Sequence, residues 1–217
     1  MVFDAIVLAG GRATRMGGIV KPLVRVAGVT LLDTAIGAAA DAETLVVVGP
    51  AELPVPQRVQ LVREDPPFGG PAAALAEGLK LLRRSNPAPW VLVLAADQPA
   101  AGVAVPALLA AAGTGGSADA VIGIDRAGRR QLLTALYRSA ALTTAVRAAE
   151  WSAAGIAGLS MHRLIAGLST VEIALPDGTL PDTPLPDTST GDAAPADVNS
   201  IDIDTWEDAA RWGADLG

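Results

Sequence analysis

The chain contains no cysteine, one histidine (His162) and only two lysines, Lys21 and Lys80, among its 217 residues. Without cysteine there is no disulfide and no thiolate metal site. A lone histidine without partners at ligand spacing reads as an ordinary surface or core residue rather than a catalytic one. Aromatic side chains are scarce as well. Trp90, Trp151, Trp206 and Trp212 are scattered, and core packing explains them better than base stacking. No apolar run approaches the roughly 18 residues that span a bilayer. The first apolar run is too short for a signal peptide and no basic region precedes it, so the expected location is cytoplasmic, with no membrane partner. The net charge of −7 argues against general nucleic-acid binding, which relies on a basic surface.

What is present is apolar residues, at 51% of the chain, enough to build a substantial core. The length suits one domain over residues 1–217. Short apolar runs alternate with helical patterns, which predicts an α/β fold with a mostly parallel sheet. Strands are expected at Asp4–Leu8, Thr44–Val48, Val59–Val62, Trp90–Ala95, Ala120–Gly123, Leu132–Tyr137 and Val171–Ala174. Helices are expected at Leu31–Ala40, Pro71–Arg83, Val105–Ala112, Ala140–Ala149 and Thr205–Gly213. Pro71 suits a first helical position, where its missing N–H costs nothing, and Thr205-x-x-Asp208 reads as a capping box. From Pro176 to Asp197 the chain holds five prolines, five aspartates and almost no large apolar residue. Such a segment reads as a flexible loop, a surface insertion more than a cover for a site.

The most informative stretch is Ala5-Ile-Val-Leu-Ala-Gly-Gly-Arg-Ala-Thr-Arg-Met-Gly-Gly-Ile-Val-Lys21-Pro22. A buried strand stops at Gly10 and Gly11, where the backbone can turn sharply and pass close to a ligand. Successive N–H groups in such a turn form a concavity for phosphate oxygens. Arg12, Arg15 and Lys21 add three positive charges, and a nucleoside triphosphate would neutralise them. In a chain this poor in lysine, Lys21 points to a need for a compact ammonium. Neither the Walker A pattern nor the dinucleotide fingerprint G-x-G-x-x-G fits this spacing. A second apolar strand, Trp90 to Ala95, leads to Asp97. Ligands of open α/β sheets bind beyond the carboxyl ends of strands, and one carboxylate there suits Mg²⁺, which takes few protein ligands beside phosphate oxygens and water. Asp202 and Asp204 alternate along an extended segment and point the same way; Asp202 is the candidate for a second metal contact, whereas Asp204 can assist Thr205 in capping.

The arrangement L-A-G-G-x-x-x-R-M-G-G-x-x-K-P resembles the start of the nucleotidyltransferases with a Rossmann-like fold, and within them the molybdenum cofactor guanylyltransferases. The resemblance implies a three-layer α/β/α fold, GTP and molybdopterin-bound molybdenum cofactor as substrates, and Mg²⁺ as cofactor. It also allows transient contact with proteins that make or receive that cofactor. By resemblance the catalytic residues are Lys21, Arg15 and Asp97, and the metal lies on Asp97 and Asp202. The nucleotide is held by Leu8, Ala9, Gly10, Gly11, Arg12, Arg15, Lys21, Asp65, Gly70 and Asp97. Gly10 stands where relatives using cytidine nucleotides tend to have alanine, which favours guanine. Asp65 takes the place of an aspartate preceding a G-P turn into a helix, and a carboxylate there can accept from N1–H and the exocyclic amine of guanine. The chain departs from the family pattern at Gly49-Pro50, where asparagine is frequent, at Val20, where aspartate is frequent, and at Trp206, which replaces proline. Gln131 to Arg138 resembles a strand beside the acceptor pocket and is assigned no catalytic role. The implied reaction is attack by the acceptor's terminal phosphate on the α-phosphorus of GTP with loss of pyrophosphate. The alternatives are a cytidylyl- or other nucleotidyltransferase acting on molybdenum cofactor or on a sugar or alcohol phosphate, and a non-catalytic nucleotide-binding protein.

Overall fold

A computed structural model describes residues 1–10, 20–65, 67–83, 86–114 and 116–176. Its centre is strand β1 (Phe3–Leu8), every residue of which is buried. Strands covered on both faces by helices carry continuous rather than alternating apolar runs, and β1 is such a strand. It pairs in parallel with β4 (Leu45–Val48) through Ala5↔Leu45 and with β6 (Trp90–Ala95) through Ala5↔Leu92. Beyond β4 lies β5 (Gln60–Val62), and beyond β6 lie β8 (Arg130–Arg138), β7 (Ala120–Ile124) and β9 (Thr170–Ala174). The order across the seven-stranded sheet is β5-β4-β1-β6-β8-β7-β9. Only β8 runs against its neighbours, so the expected mostly parallel sheet is what forms.

Alternation along β1 sends its side chains into two apolar layers. Ala5 and Val7 pack with Leu32, Ile36, Val105 and Leu108 of helices α1 (Leu31–Ala38) and α3 (Ala101–Thr114). Ile6 and Leu8 pack on the other side with Leu75 and Leu79 of α2 (Pro71–Leu82), Leu142 of α4 (Ser139–Trp151) and Leu164 of α5 (Met161–Leu164). The result is the three-layer α/β/α arrangement. Within β1 the buried Asp4 carboxylate accepts from the backbone N–H groups of Thr44 at 3.1 Å and Ala88 at 2.8 Å. It thereby ties the approaches to β4 and β6 to the central strand.

The differences from expectation have identifiable causes. Helix α3 starts four residues before the expected Val105, upstream of Pro106. Proline removes one bond to a carbonyl four residues back, but the first turn is retained by Ala104 N–H donating to Ala100 O at 3.3 Å and by burial of Ala101, Ala104 and Val105. Helix α1 stops at Ala38 rather than Ala40. Its start is a Thr30–Asp33 cap in which the Asp33 N–H donates to Thr30 Oγ1 at 3.0 Å. A small hairpin of β2 (Arg25–Val26) and β3 (Val29–Thr30) is too short to leave a periodic signal. It turns through Ala27 and Gly28, both with positive φ, the backbone that two-residue hairpin loops require. Trp90 is buried as expected, with the Arg138 guanidinium 4.5 Å from its ring centroid. Trp151 is instead 88% exposed at the end of α4, so core packing does not account for it. The expected helix at Thr205–Gly213, the Pro176–Asp197 loop beyond Pro176, Trp206 and Trp212 lie outside the described residues.

Candidate active site

The carboxyl ends of β1, β4, β5, β6, β7 and β9 share one edge of the sheet. There the chain leaves β1 wedged between its neighbours. Ala9 N–H donates to Val48 O at 2.8 Å, and Ala96 N–H donates to Leu8 O at 2.9 Å. Gly49, immediately after β4, is pressed against this exit. A Cβ on it would lie 3.1 Å from Ala9 O and 2.8 Å from Leu53 Cδ1. A side chain at this position would require Leu53 to move and would press on the exit of β1.

A cavity of about 530 Å³ opens over the same edge. Leu8 and Gly10 form part of its wall, with Gly70 and Pro71 at the start of α2, Asp97 and Gln98 after β6, and Arg130 and Gln131 at the start of β8. Gly70 precedes α2 with φ +89° and ψ 177°, a backbone open mainly to glycine, and Pro71 opens the helix as expected. Lys21 begins a single 3-10 turn, Lys21–Leu23, anchored by the buried Pro22. From there its Nζ reaches Asp97 Oδ2 at 3.4 Å, with both side chains about a quarter exposed (21% and 26%). Residues 76 positions apart, from the glycine-rich segment and from the tip of β6, thus form one ion pair at the sheet edge. No cluster of three or more His, Cys, Asp or Glu side chains suited to a metal is present among the described residues. Asp97 offers a single carboxylate beside the cavity, which matches the few protein ligands that Mg²⁺ takes alongside phosphate oxygens.

The remaining site candidates divide clearly. Leu8, Gly10, Gly70 and Asp97 line the cavity; Ala9 is buried behind it and holds the strand exit. Asp65 is exposed and is not among the lining residues, whereas its neighbour Glu64 is. Glu64 Oε1 accepts from Phe68 N–H at 2.7 Å, closing the loop between β5 and α2. In the sequence Asp65 holds the family position, and nothing there marks Glu64 out from its neighbour. Phe68 lines the cavity too, 54% exposed and with φ +64°. His162 also lines the cavity and is exposed, in keeping with a surface position. Gly11, Arg12, Arg15, Asp202 and Asp204 lie outside the described residues.

Gln131, which lines the cavity, belongs to a polar cluster that the sequence did not announce. The Asp125 carboxylate, with no exposed side-chain surface, accepts from Arg129 N–H at 2.8 Å, Arg129 Nε at 2.7 Å and Gln131 Nε2 at 2.8 Å. Burial alone would raise its pKa, and these donors more than offset that, so it lies below the ordinary carboxylate range. The cluster locks the β7–β8 turn and orients Gln131. Thr134 donates to Gln98, which fixes the segment following Asp97 against β8.

A glycine-bearing strand exit and a strand-tip carboxylate thus meet over one edge of a mostly parallel sheet with helices on both faces, the arrangement of the nucleotidyltransferase structures this chain superposes on. Residues 5–169, most of the chain, match the MobA-like NTP transferase domain, and the protein belongs to that family. A molybdenum cofactor guanylyltransferase of Serratia proteamaculans is 32% identical over 103 residues, which cover 43% of this chain and 48% of that protein. The match thus spans about half the length of that relative. Among solved structures, molybdopterin-guanine dinucleotide biosynthesis protein A from Archaeoglobus fulgidus superposes with a TM-score of 0.57 at 19% identity, covering 79% of this chain and 83% of that one. A Methanothermobacter nucleotidyl transferase gives 0.61 at 19% identity over 97% and 95% of the two chains. The 2-C-methyl-D-erythritol 4-phosphate cytidylyltransferase of Thermus thermophilus gives 0.54 at 18% identity over 91% and 96%. These structural likenesses concern the fold.

Proposed function

We propose that the protein is a Mg²⁺-dependent guanylyltransferase that transfers GMP from GTP to the terminal phosphate of molybdopterin-bound molybdenum cofactor. The observation that carries the reading is the Lys21–Asp97 pair at 3.4 Å beside the cavity. A compact cation and a carboxylate side by side at the carboxyl edge of the sheet support a site for nucleotide phosphates and their metal there. The guanylyltransferase relative from Serratia favours guanine and this acceptor.

In the proposed reaction an oxygen of the acceptor phosphate attacks the α-phosphorus of GTP. The bond from that phosphorus to the bridging oxygen breaks, and pyrophosphate leaves. A phosphate monoester is already largely ionised near neutral pH, its second pKa being about 6, so no side-chain base is needed. The amides of Gly10 and Gly11, with Arg15, hold the β- and γ-phosphates, Arg12 serves either the triphosphate or the acceptor, and Lys21 offsets charge developing at the α-phosphate. Asp97, together with Asp202, would hold Mg²⁺, which supplies charge neutralisation and alignment of the phosphates. Leu8 and Gly70 border the nucleoside. The base edge is assigned to the adjacent carboxylates Glu64 and Asp65, of which Glu64 already lines the cavity. Proteins that make or receive the cofactor are the proposed transient partners, and the cytoplasm the proposed location.

The deciding experiment is pyrophosphate release with molybdopterin as acceptor across the four ribonucleoside triphosphates. Release with GTP alone is expected. Release with CTP instead would make the protein a cytidylyltransferase, and nucleotide binding without release would make it a non-catalytic binder. The metal assignment has its own check: Asp97→Asn is expected to move the Mg²⁺ titration of turnover to higher concentration, and an unchanged titration would remove Asp97 from the metal.

A further inference from the structure

The acceptor in the proposed reaction brings its own phosphate, with about two negative charges, to a cavity that already offers carboxylates. Among the described residues lining that cavity, the acidic side chains are Glu64 and Asp97 and the one guanidinium is that of Arg130. Lys21 is engaged with Asp97 and in the proposed reaction serves the donor nucleotide. Among the described lining residues, Arg130 is the guanidinium that the donor nucleotide does not claim in the proposed reaction, and it faces one carboxylate, Glu172.

Its geometry suits that task. Arg130 opens β8, the strand next to β6, whose tip leads to Asp97. Glu172 Oε1 lies 2.9 Å from Nε, although Nε is fully buried and makes no well-directed hydrogen bond. Nη2 donates to Thr170 Oγ1 at 3.2 Å. Both contacts fall on the edge of the guanidinium formed by Nε and Nη2. The opposite edge, Nη1 with the second hydrogen of Nη2, has no partner among the described residues. A guanidinium pinned along one edge and open along the other is pre-organised to take two phosphate oxygens in parallel, and little side-chain freedom remains to be lost. Arg130 is one-third exposed, so an incoming anion can reach it without the full cost of burying an unpaired charge.

We infer that Arg130 is the acceptor-phosphate anchor: it binds the terminal phosphate of the acceptor through its open edge, while Glu172 and Thr170 hold the guanidinium in place. The ligand class is a phosphate monoester. The inference rests on the proposed transfer reaction, and its test separates the two.

Wild type, Arg130→Gln and Arg130→Lys are titrated with molybdopterin and, separately, with GTP and Mg²⁺. Inorganic phosphate is titrated with the nucleotide site filled by a non-reactive GTP analogue. Arg130→Gln is expected to weaken molybdopterin and inorganic phosphate binding at least tenfold while leaving GTP affinity within twofold. Arg130→Lys is expected to recover part of the loss, because it keeps the charge but not the fork. Unchanged molybdopterin affinity in Arg130→Gln overturns the anchor, even if pyrophosphate release confirms the transfer reaction. A parallel fall in GTP affinity and melting temperature overturns it as well, since Arg130 would then be only a strand–strand tie. If wild type ignores molybdopterin, the assigned acceptor fails, and the inorganic phosphate titration decides Arg130 alone: equal binding by wild type and Arg130→Gln rejects it.

Discussion

At the scale of single residues, the site depends on charges that meet from distant parts of the chain. Lys21 and Asp97 are each partly exposed, so their mutual attraction adds little to stability. The proposed value of Lys21 lies in the transition state. Lys21→Ala is expected to reduce turnover by one or more powers of ten, approaching the roughly 3 kcal/mol of a lost oxyanion donor, with the melting temperature nearly unchanged. Steady-state pyrophosphate release and a thermal melt on the same sample check both halves. Asp125 behaves differently because it is enclosed. Its pKa is lowered in the folded protein, so its contribution to stability is complete above the ordinary carboxylate value of about 3.9 and is lost as pH falls through the folded value. The melting-temperature gap between wild type and Asp125→Asn should be constant from neutral pH to about pH 5 and close in stronger acid. A gap independent of pH would mean that shape, not charge, is what Asp125 supplies.

At the scale of elements, close approach of helix to sheet is built into α2. A Cβ on Gly78 would sit 2.9 Å from Ile6 Cγ2 and 3.0 Å from its Cδ1. Ile6 is fully buried and β-branched, so it has little freedom to yield. Gly78→Ala gains up to about 1 kcal/mol of helix propensity but overpacks the contact by about 1–3 kcal/mol. The expected net result is a melting temperature lowered by a few degrees. Gly37 in α1 is the contrast: nothing lies within 4 Å of the position its Cβ would take. Gly37→Ala is expected to raise the melting temperature, by up to about 1 kcal/mol of stability, and opposite signs in the pair confirm that packing sets the role of Gly78. The same scale shows what could be read in advance. Strands such as β1 and β6 are long, apolar runs and stand where the pattern put them. The two-residue strands β2 and β3 and the four-residue α5 could not be read, because alternation needs about four to eight residues and helical periodicity a window of about 11–18 to show.

At the scale of the whole molecule, the two apolar layers fix the sheet, and the sheet brings six strand ends to one edge. A ligand gripped there binds the folded state alone. At a concentration about 100 times its dissociation constant it should add about 2.7 kcal/mol of stability. GTP with Mg²⁺ is therefore expected to raise the melting temperature by several degrees, and CTP with Mg²⁺ clearly less. Equal shifts from both nucleotides would remove the case for guanine.

The chain order of apolar runs, the glycine that follows β1 and the carboxylate that follows β6 were legible without coordinates, because each is a local pattern in the sequence. Which side chains meet was not. That Lys21 reaches Asp97, that Glu64 rather than Asp65 lines the cavity, and that Arg130 turns one guanidinium edge toward Glu172 and Thr170 all depend on strand order and on where each loop leaves the sheet. Strand order is decided by non-local burial, for which a linear sequence carries no short-range signal.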